Sequence, residues 1–339
     1  MSSKGVDQMG AEKVKIVVTD PLVGRMPEIS RERYPEEDKR IEWVMAEKGD
    51  EEELYGLVPG AAILVGARYS ISAKVLAKAD KATFHQQCSQ GYDNIDLDAA
   101  KAQGITVSHS GTAGTIPVAE HALMLMLAAA KSLPRCHDTM ANGEWVFPEM
   151  VNRVYELYDK TLGIVGLGKI GKQLAVVVQG LNMRIQYYDP YAANVSDLPF
   201  PIKSVSLEQL LETSDFVSVH APLTDTTHHM IGREALRMMK PSAYLINTGR
   251  GSVVDEDALV DALEEKWIAG AGVDVFGGHH EPPPKNAKLL KMPNVVLTPH
   301  IGGATAEDIY RNFYVTSLDN IMRVMNGEKP LYVVSEGRI

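Results

Sequence analysis

The stretch Gly163-Ile-Val-Gly166-Leu-Gly168-Lys169-Ile170-Gly171 constrains this chain more than any other. An apolar strand sequence runs straight into glycines spaced Gly-x-Gly-x-x-Gly and then into a helix-forming run. The spacing has a mechanical reading. Gly166 permits a tight turn, Gly168 lets the backbone approach a pyrophosphate, and Gly171 lets the new helix pack close to its strand. Lys169 and Ile170 fall in the first turn of that helix, whose unpaired N–H groups attract phosphate. Residues 185–189 read as the next strand and end in Asp189, a carboxylate roughly 20 residues on, as expected for gripping a ribose hydroxyl pair. Its charge repels a 2′-phosphate, and the next residues are Pro190 and Tyr191 rather than an arginine, so the pattern points to NAD. The alternative is a surface turn with an incidental acid. Strand, turn, helix, strand and acid in this order favour the nucleotide.

A chain of 339 residues suits two domains of roughly 100 to 200 residues each. With 45% hydrophobic and 23% charged residues it has an ordinary globular composition. The formal charge of -10 disfavours non-specific attraction to nucleic acid or anionic membrane, so neither is an expected partner. Cys88 and Cys136 are too few for a disulfide framework, suit a reducing compartment, and read as small buried apolar side chains. The polar N-terminus carries no apolar signal core, and the longest apolar run, 122–130, is far short of a membrane span. The expected location is the cytoplasm.

Short apolar runs at 14–19, 41–46, 61–66, 83–87 and 105–109 alternate with helix-compatible stretches such as 50–55 and 71–78. Such alternation predicts a parallel sheet covered on both faces. The charge run 31–40 reads as a solvated, mixed-sign segment. A Gly- and Thr-rich break at 110–117 precedes a strong helix at 118–131 and predicts a hinge. Strands are then expected at 162–165, 184–188, 216–219, 243–247, 269–275 and 294–297, with helices including 207–212, 233–239 and 256–264. Six strands in one unit match a complete dinucleotide fold. A long helix at 306–326 and a short strand at 331–334 are expected to return to the first domain.

Three further strand ends carry chemistry-bearing side chains. Leu245-Ile-Asn-Thr-Gly-Arg250-Gly251 opens into a small-residue turn ending in an arginine, and a guanidinium there holds a carboxylate by two parallel hydrogen bonds. Its alternative is a salt bridge to Asp255 or Glu256. Gly272-Val-Asp274-Val-Phe276 follows, with Glu281-Pro282 beyond it, and then Leu297-Thr-Pro-His300-Ile-Gly302-Gly303. The doublets His228-His229 and His279-His280 are expected to point their side chains apart, no paired-cysteine or His-Glu-x-x-His spacing is present, and no metal is expected. His121 reads as a satisfied packing histidine, and Leu123, Met124 and Met126 as core or subunit interface.

This succession of motifs is similar to the D-isomer-specific 2-hydroxyacid dehydrogenase family, from about Ala61 to the C-terminus. Besides the glycine turn, the resemblance is carried by Gly91-Tyr-Asp-Asn-Ile-Asp96, Val118-Ala-Glu-His121, His220-Ala-Pro222-Leu-Thr224, Asn247-Thr248-Gly249-Arg250-Gly251, Gly272-Val-Asp274-Val-Phe276, Glu281-Pro282 and Pro299-His300-Ile-Gly302-Gly303. It implies an α/β fold of two doubly wound parallel-sheet domains with an interdomain cleft. The NAD-binding Rossmann domain would span 111–305, and a flavodoxin-like substrate-binding domain 1–110 plus 306–339. It implies an NAD-dependent oxidoreductase, a homodimer assembled partly through the helix bearing His121, acting on a small anionic 2-hydroxy or 2-oxo acid. Relatives of this kind are glyoxylate or hydroxypyruvate reductases and phosphoglycerate dehydrogenases, here without an added regulatory domain.

Residue by residue, the resemblance makes Arg250 the group that binds the substrate carboxylate and carbonyl, His300 the proton donor and acceptor, and Glu281 the carboxylate that holds the imidazole. The cofactor would be met by the glycine turn, Asp189, His220, Pro222, Thr227, Thr248, Gly249, Asp274 on the nicotinamide side, Gly302 and Gly303. The backbone of Gln90 and Gly91 would meet the substrate. Three departures stand out. Glu281 lies two residues later after Asp274 than the family pattern places it, which leaves His279 or His280 as intruding alternatives. Ser89-Gln90 replaces a glycine and a small apolar residue. Gly66 stands where many phosphate-handling members carry an arginine, with Arg68, facing a cleft or solvated, two places on. The rival readings are a dehydrogenase of formate or phosphite type, against which Glu281-Pro282 argues, and an NAD-responsive co-repressor-like regulator.

Overall fold

The computed structural model describes residues 13–192, 195, 197–277 and 282–337, and the chain divides into two compact units, Met1–Ala113 with Ala306–Ile339, and Gly114–Thr305. In the first unit, β1 (Val14–Val18), β2 (Ile41–Met45), β3 (Ile63–Gly66), β4 (Phe84–Gln87) and β5 (Thr106–Ser108) form parallel ladders in the order β2-β1-β3-β4-β5. This is the flavodoxin-like order. Strands such as Val-Lys-Ile-Val-Val and Ile-Leu-Val-Gly are apolar and β-branched because both faces of a parallel sheet are covered. Asp50 and Asp96 accept N–H bonds from Glu53 and Ala99 and so start the two helices Glu51–Leu57 and Leu97–Gln103 that cover one face.

Strand β4 departs from the apolar rule. Its sequence is Phe-His-Gln-Gln, and His85, Gln86 and Gln87 are fully buried. Buried amides need partners, and these are supplied mostly from far along the chain. Asn320 donates to Gln86 Oε1 at 2.9 Å, and Gln87 Nε2 donates to the Ala67 carbonyl at 2.6 Å. The first of these bonds ties the C-terminal helix Ser317–Met325 to β4. That helix belongs to the stretch 306–326 expected to be a single helix, but its winding changes. Ala306–Asp308 and Ser317–Met325 are α-helical, and Ile309–Thr316 between them is a π-helix, which turns Asn312 and Tyr314 inward. Cys88 is buried, and that burial pushes its thiol up to about 12, whereas Cys136, on the helix Leu133–Ala141, is only partly buried.

In the second unit, β6 (Thr161–Val165), β7 (Arg184–Tyr188), β8 (Lys203–Ser204), β9 (Phe216–Val219), β10 (Tyr244–Asn247), β11 (Gly270–Val273) and β12 (Val295–Leu297) pair in the order β8-β7-β6-β9-β10-β11-β12. All of these ladders are parallel. The order reverses between β6 and β9, the Rossmann arrangement with one further strand. β8 was not expected from the sequence. It is two residues long and exposed, too short for any periodic signal. In the C-terminal part of the first unit, β13 (Val333–Ser335) adds antiparallel to β5 as an edge strand.

Two apolar clusters sandwich the second sheet. One includes Val217, Leu245, Leu259 and Ala271, the other Leu125, Met126, Leu162, Ile164 and Ile246. The helix Thr115–Ala130 contributes to the latter and begins earlier than 118, because Pro117 lies within its first turn, where a missing N–H costs nothing.

Burial gives His85 a pH signature. Its pKa is lowered from 6.5 to about 4 by desolvation, so the unfolded chain binds more protons between those values. Its stabilising contribution is complete above pH 6.5 and is lost as the pH falls toward 4. Thermal melts across this window should show His85→Gln flattening the acid loss by on the order of 1 kcal/mol per pH unit. An unchanged slope would assign the acid loss to other groups.

Candidate functional site

In the second unit the candidate residues gather at the carboxyl ends of parallel strands, because parallel pairing sends every strand end to one edge. Gly166 follows β6 with φ +91°, and a Cβ there would sit 2.7 Å from the Ala221 backbone N beyond β9. At Gly171 a Cβ would fall 2.5 Å from the Gly166 carbonyl oxygen, so the helix Lys169–Val177 packs as closely as its glycine spacing implies. Among the described residues no atom beyond the chain neighbours lies within 4 Å of the equivalent point at Gly168, and no side chain caps the helix that starts there, with Lys169 and Ile170 in its first turn. Asp189 ends β7. Its Oδ2 accepts the Leu167 N–H and its Oδ1 the Tyr191 N–H, both at 2.8 Å. The acid therefore braces the glycine turn, a role that its spacing alone did not reveal. An uncapped helix start, an open glycine position and a carboxylate at the next strand end fit a dinucleotide.

Val219 of β9 pairs with Asn247 of β10, which brings the loops beyond them together. His220 Nε2 lies 2.8 Å from Ser218 Oγ, and its Nδ1 lies 3.5 Å from Thr248 Oγ1. Desolvation lowers its pKa to about 4, so the ring is neutral at pH 7. Thr227 Oγ1 donates to the Pro222 carbonyl at 2.6 Å and accepts the Thr224 N–H at 2.8 Å, closing that loop.

The ladder continues from Asn247 to Val273 and from Val273 to Leu297. Arg250, Asp274 and His300 thus follow three adjacent strand ends. Arg250 is half-buried, its Nη1 donates to the Gly249 carbonyl at 2.9 Å, and Asn247 Nδ2 donates to the Arg250 carbonyl at 3.1 Å. The two acids weighed as salt-bridge partners are engaged with backbone amides. Asp255 Oδ1 accepts the Ala258 N–H, and Glu256 Oε2 accepts the Gly277 N–H, each at 3.1 Å.

Asp274 is 2% exposed and lies at the centre of a hydrogen-bond cluster. Its Oδ1 accepts the Thr298 hydroxyl at 2.5 Å and the Ile301 N–H at 3.0 Å, and its Oδ2 accepts the Gly302 N–H at 2.9 Å. His121 Nε2, from the helix Thr115–Ala130, lies 3.3 Å from Asp274 Oδ1 and 2.8 Å from Thr298 Oγ1. Burial alone would raise the Asp274 pKa, but hydrogen bonds from His121, Thr298 and Gly302 outweigh it and hold the group at about 2. His300 is exposed, adopts φ +54° and donates its N–H to the Asp274 carbonyl at 2.8 Å. A left-handed backbone at a residue with a Cβ costs roughly 1–2 kcal/mol, so this turn is held by its bonds. The expected packing role of His121 holds in that its ring is satisfied, by Thr298 and Asp274. Neither Thr298 nor Asn247 is given a role of its own by the sequence, although both lie inside motifs quoted above. Glu281, with its alternatives His279 and His280, lies outside the described residues.

One expectation is overturned. His228 and His229 do not point apart, for their rings stack with centroids 3.9 Å apart. His229 has φ +53°, outside the extended geometry in which successive side chains alternate. Among the described residues no group of three or more His, Cys, Asp or Glu side chains is arranged to hold a metal, and no single helix is long and apolar enough to cross a membrane.

In the first unit, Gln90 and Gly91 lie in the loop after β4. Gln87 Nε2 lies 2.9 Å from the Gly91 carbonyl and 3.0 Å from Asn94 Oδ1, and Ser89 Oγ donates to the Gly91 carbonyl at 2.8 Å. Gln87, for which the sequence suggests no role, therefore anchors this loop. The Arg68 side chain is exposed, and its backbone N–H is held by Asp20 Oδ2 at 2.6 Å.

Residues 123–302 match the model of the D-isomer specific 2-hydroxyacid dehydrogenase NAD binding domain. The chain is 42% identical over 268 residues to a glyoxylate reductase of Korarchaeum cryptofilum, covering 78% of this chain and 80% of that protein. Among solved structures it is similar to an NAD-dependent formate dehydrogenase from Staphylococcus aureus in complex with NAD, with 28% identity, TM-score 0.84 and 96% and 100% of the two chains covered. It is also similar to a D-lactate dehydrogenase from Aquifex aeolicus complexed with NAD and lactic acid, with 28% identity, TM-score 0.81 and 93% and 96% covered.

The bracing role of Asp189 predicts that Asp189→Ala weakens NADH binding by about tenfold or more, since it removes a charge-assisted partner of Leu167 N–H. Fluorescence titration with NADH checks this. Unchanged affinity would show that the turn holds its shape without the acid.

Proposed function

Because this chain belongs to the D-isomer-specific 2-hydroxyacid dehydrogenase family and is an NAD-dependent oxidoreductase interconverting 2-hydroxy and 2-oxo acids, we propose that it reduces glyoxylate or hydroxypyruvate, with His300 as acid and base. The observation that carries the reading is the row Arg250, Asp274 and His300 on adjacent strand ends of the sheet that bears the glycine turn. NAD supplies the hydride acceptor for oxidation and, as NADH, the donor for reduction. The Arg250 guanidinium holds the substrate carboxylate by a planar pair of bonds and fixes the face presented. His300 takes the 2-hydroxyl proton in oxidation and returns it to the carbonyl oxygen in reduction, the two-way role an imidazole fills near neutral pH. Charge developing on that oxygen during reduction is stabilised by the same guanidinium and by the protonated imidazole.

Glu281 is assigned to orient the His300 imidazole, and Asp274 to the nicotinamide side of the cofactor. The glycine turn, Asp189, His220, Pro222, Thr227, Thr248, Gly249, Gly302 and Gly303 would line the rest of the cofactor path. In the first unit, Gln90, Gly91 and Arg68 are assigned to substrate. Relatives named glyoxylate reductase support the small substrate. No observation favours the formate, phosphite or regulatory alternatives.

We further propose a homodimer in the cytoplasm. The segment from Leu133 to Val151 presents Leu133, Met140, Trp145, Phe147 and Val151 at 52% exposure or more, a grouping that marks an interaction surface.

NADH consumption across glyoxylate, hydroxypyruvate, pyruvate and 2-oxoglutarate tests the reaction. Turnover should be best on the first two and fall at least about 100-fold in His300→Ala, with Arg250→Lys losing a comparable factor in kcat/KM. Persistence of turnover in His300→Ala would reject the histidine as the base. For assembly, sedimentation should show a dimer that Trp145→Glu with Phe147→Glu converts to monomer. A monomeric wild-type chain would refute the dimer.

A further inference from the structure

We propose that His121 is a positioning residue for His300, acting at a distance through Asp274 and Thr298, and this rests on the reading of His300 as the acid and base. His300 sits in a left-handed turn, with φ +54°. Three successive N–H groups, those of His300, Ile301 and Gly302, all end on Asp274, the first on its carbonyl and the others on its two carboxylate oxygens. The direction of the His300 side chain therefore depends on the rotamer of Asp274. A rotation of that carboxylate would release two of the three bonds and the strained φ with them.

Thr298 has one hydroxyl proton, and its 2.5 Å contact with Asp274 Oδ1 claims it. The 2.8 Å contact between Thr298 Oγ1 and His121 Nε2 must then carry a proton from the imidazole. His121 Nε2–H is thus the donor that closes the cluster, and it lies 3.3 Å from Asp274 Oδ1 as well. The His121 side chain is only 10% exposed and that of Asp274 only 3%, so neither relies on water for its pairing. His121 rides on the helix Thr115–Ala130, whose Leu125 and Met126 are buried in the core beside Ile246 of β10. The rigid helix, through one imidazole proton, holds the carboxylate that holds the histidine turn.

A positioning role separates from a packing role by which kinetic constant moves and by chemical rescue. His121→Ala is expected to lower kcat for 2-oxo acid reduction by about tenfold or more, with KM for the acid within about twofold of wild type. His121→Gln places an amide N–H near the lost imidazole donor and should recover most of kcat. Thr298→Val, nearly isosteric, removes the intermediate hydroxyl and should reproduce the kcat loss in a folded protein even where His121→Ala does not fold. The proposal is overturned if His121→Ala retains wild-type kcat, if Gln is as impaired as Ala, or if Thr298→Val is fully active. His300→Ala, assayed beside them, keeps the two ideas apart. Turnover retained there defeats the acid–base reading itself, whereas turnover lost there but kept in His121→Ala and Thr298→Val defeats only the positioning role.

Discussion

Parallel pairing throughout the larger sheet is the constraint on which the site depends. With every ladder from β8 to β12 parallel, all strand ends open on one edge, and residues scattered from Gly166 to Gly303 come to share it. The reversal of strand order between β6 and β9 places the glycine turn beside the Ala221 backbone. That neighbour excludes a side chain at Gly166 by space, and the φ of +91° excludes one separately.

The strand ends would be loose without polar side chains to brace them. Asp189 holds the glycine turn, Asn247 the loop before Arg250, Asp274 the turn of His300 and, in the first unit, Gln87 the loop of Gln90 and Gly91. In each case an acid or amide spends its capacity on backbone groups that the end of a strand leaves unpaired. The side chains expected to meet ligand, Arg250 and His300, are thereby carried on loops whose shape is set by neighbours of no reactivity of their own. Asp274 shows the energetic balance most plainly. Its burial opposes ionisation, and its hydrogen bonds more than compensate, leaving a carboxylate ionised at any ordinary pH.

Much of this was legible in the chain itself. The alternation of apolar runs predicted β1 to β5, and the glycine spacing predicted the strand, turn and helix around Gly166, because short-range periodicity and turn chemistry are local properties. The helix 256–264 was expected with the bounds the structure gives it. What failed was decided at longer range. β8 is a two-residue edge strand that exists only because β7 offers it a ladder, and the π-helix Ile309–Thr316 looks like α-helix in any sequence pattern. The stack of His228 on His229 needs a left-handed residue that no neighbour announces.

The sequence by itself determined the fold class and the nucleotide turn, and it singled out Arg250 and His300 as the groups proposed to meet a 2-hydroxy acid, since these readings rest on spacing and side-chain chemistry. Tertiary structure alone decided who stands behind them. His121 and Thr298 are separated by most of the second unit in sequence, yet their polar atoms lie 2.8 Å apart. The reason is physical. A buried carboxylate recruits donors wherever the packed helix and sheet bring them, and that meeting is a property of how the elements stack, which no local pattern encodes.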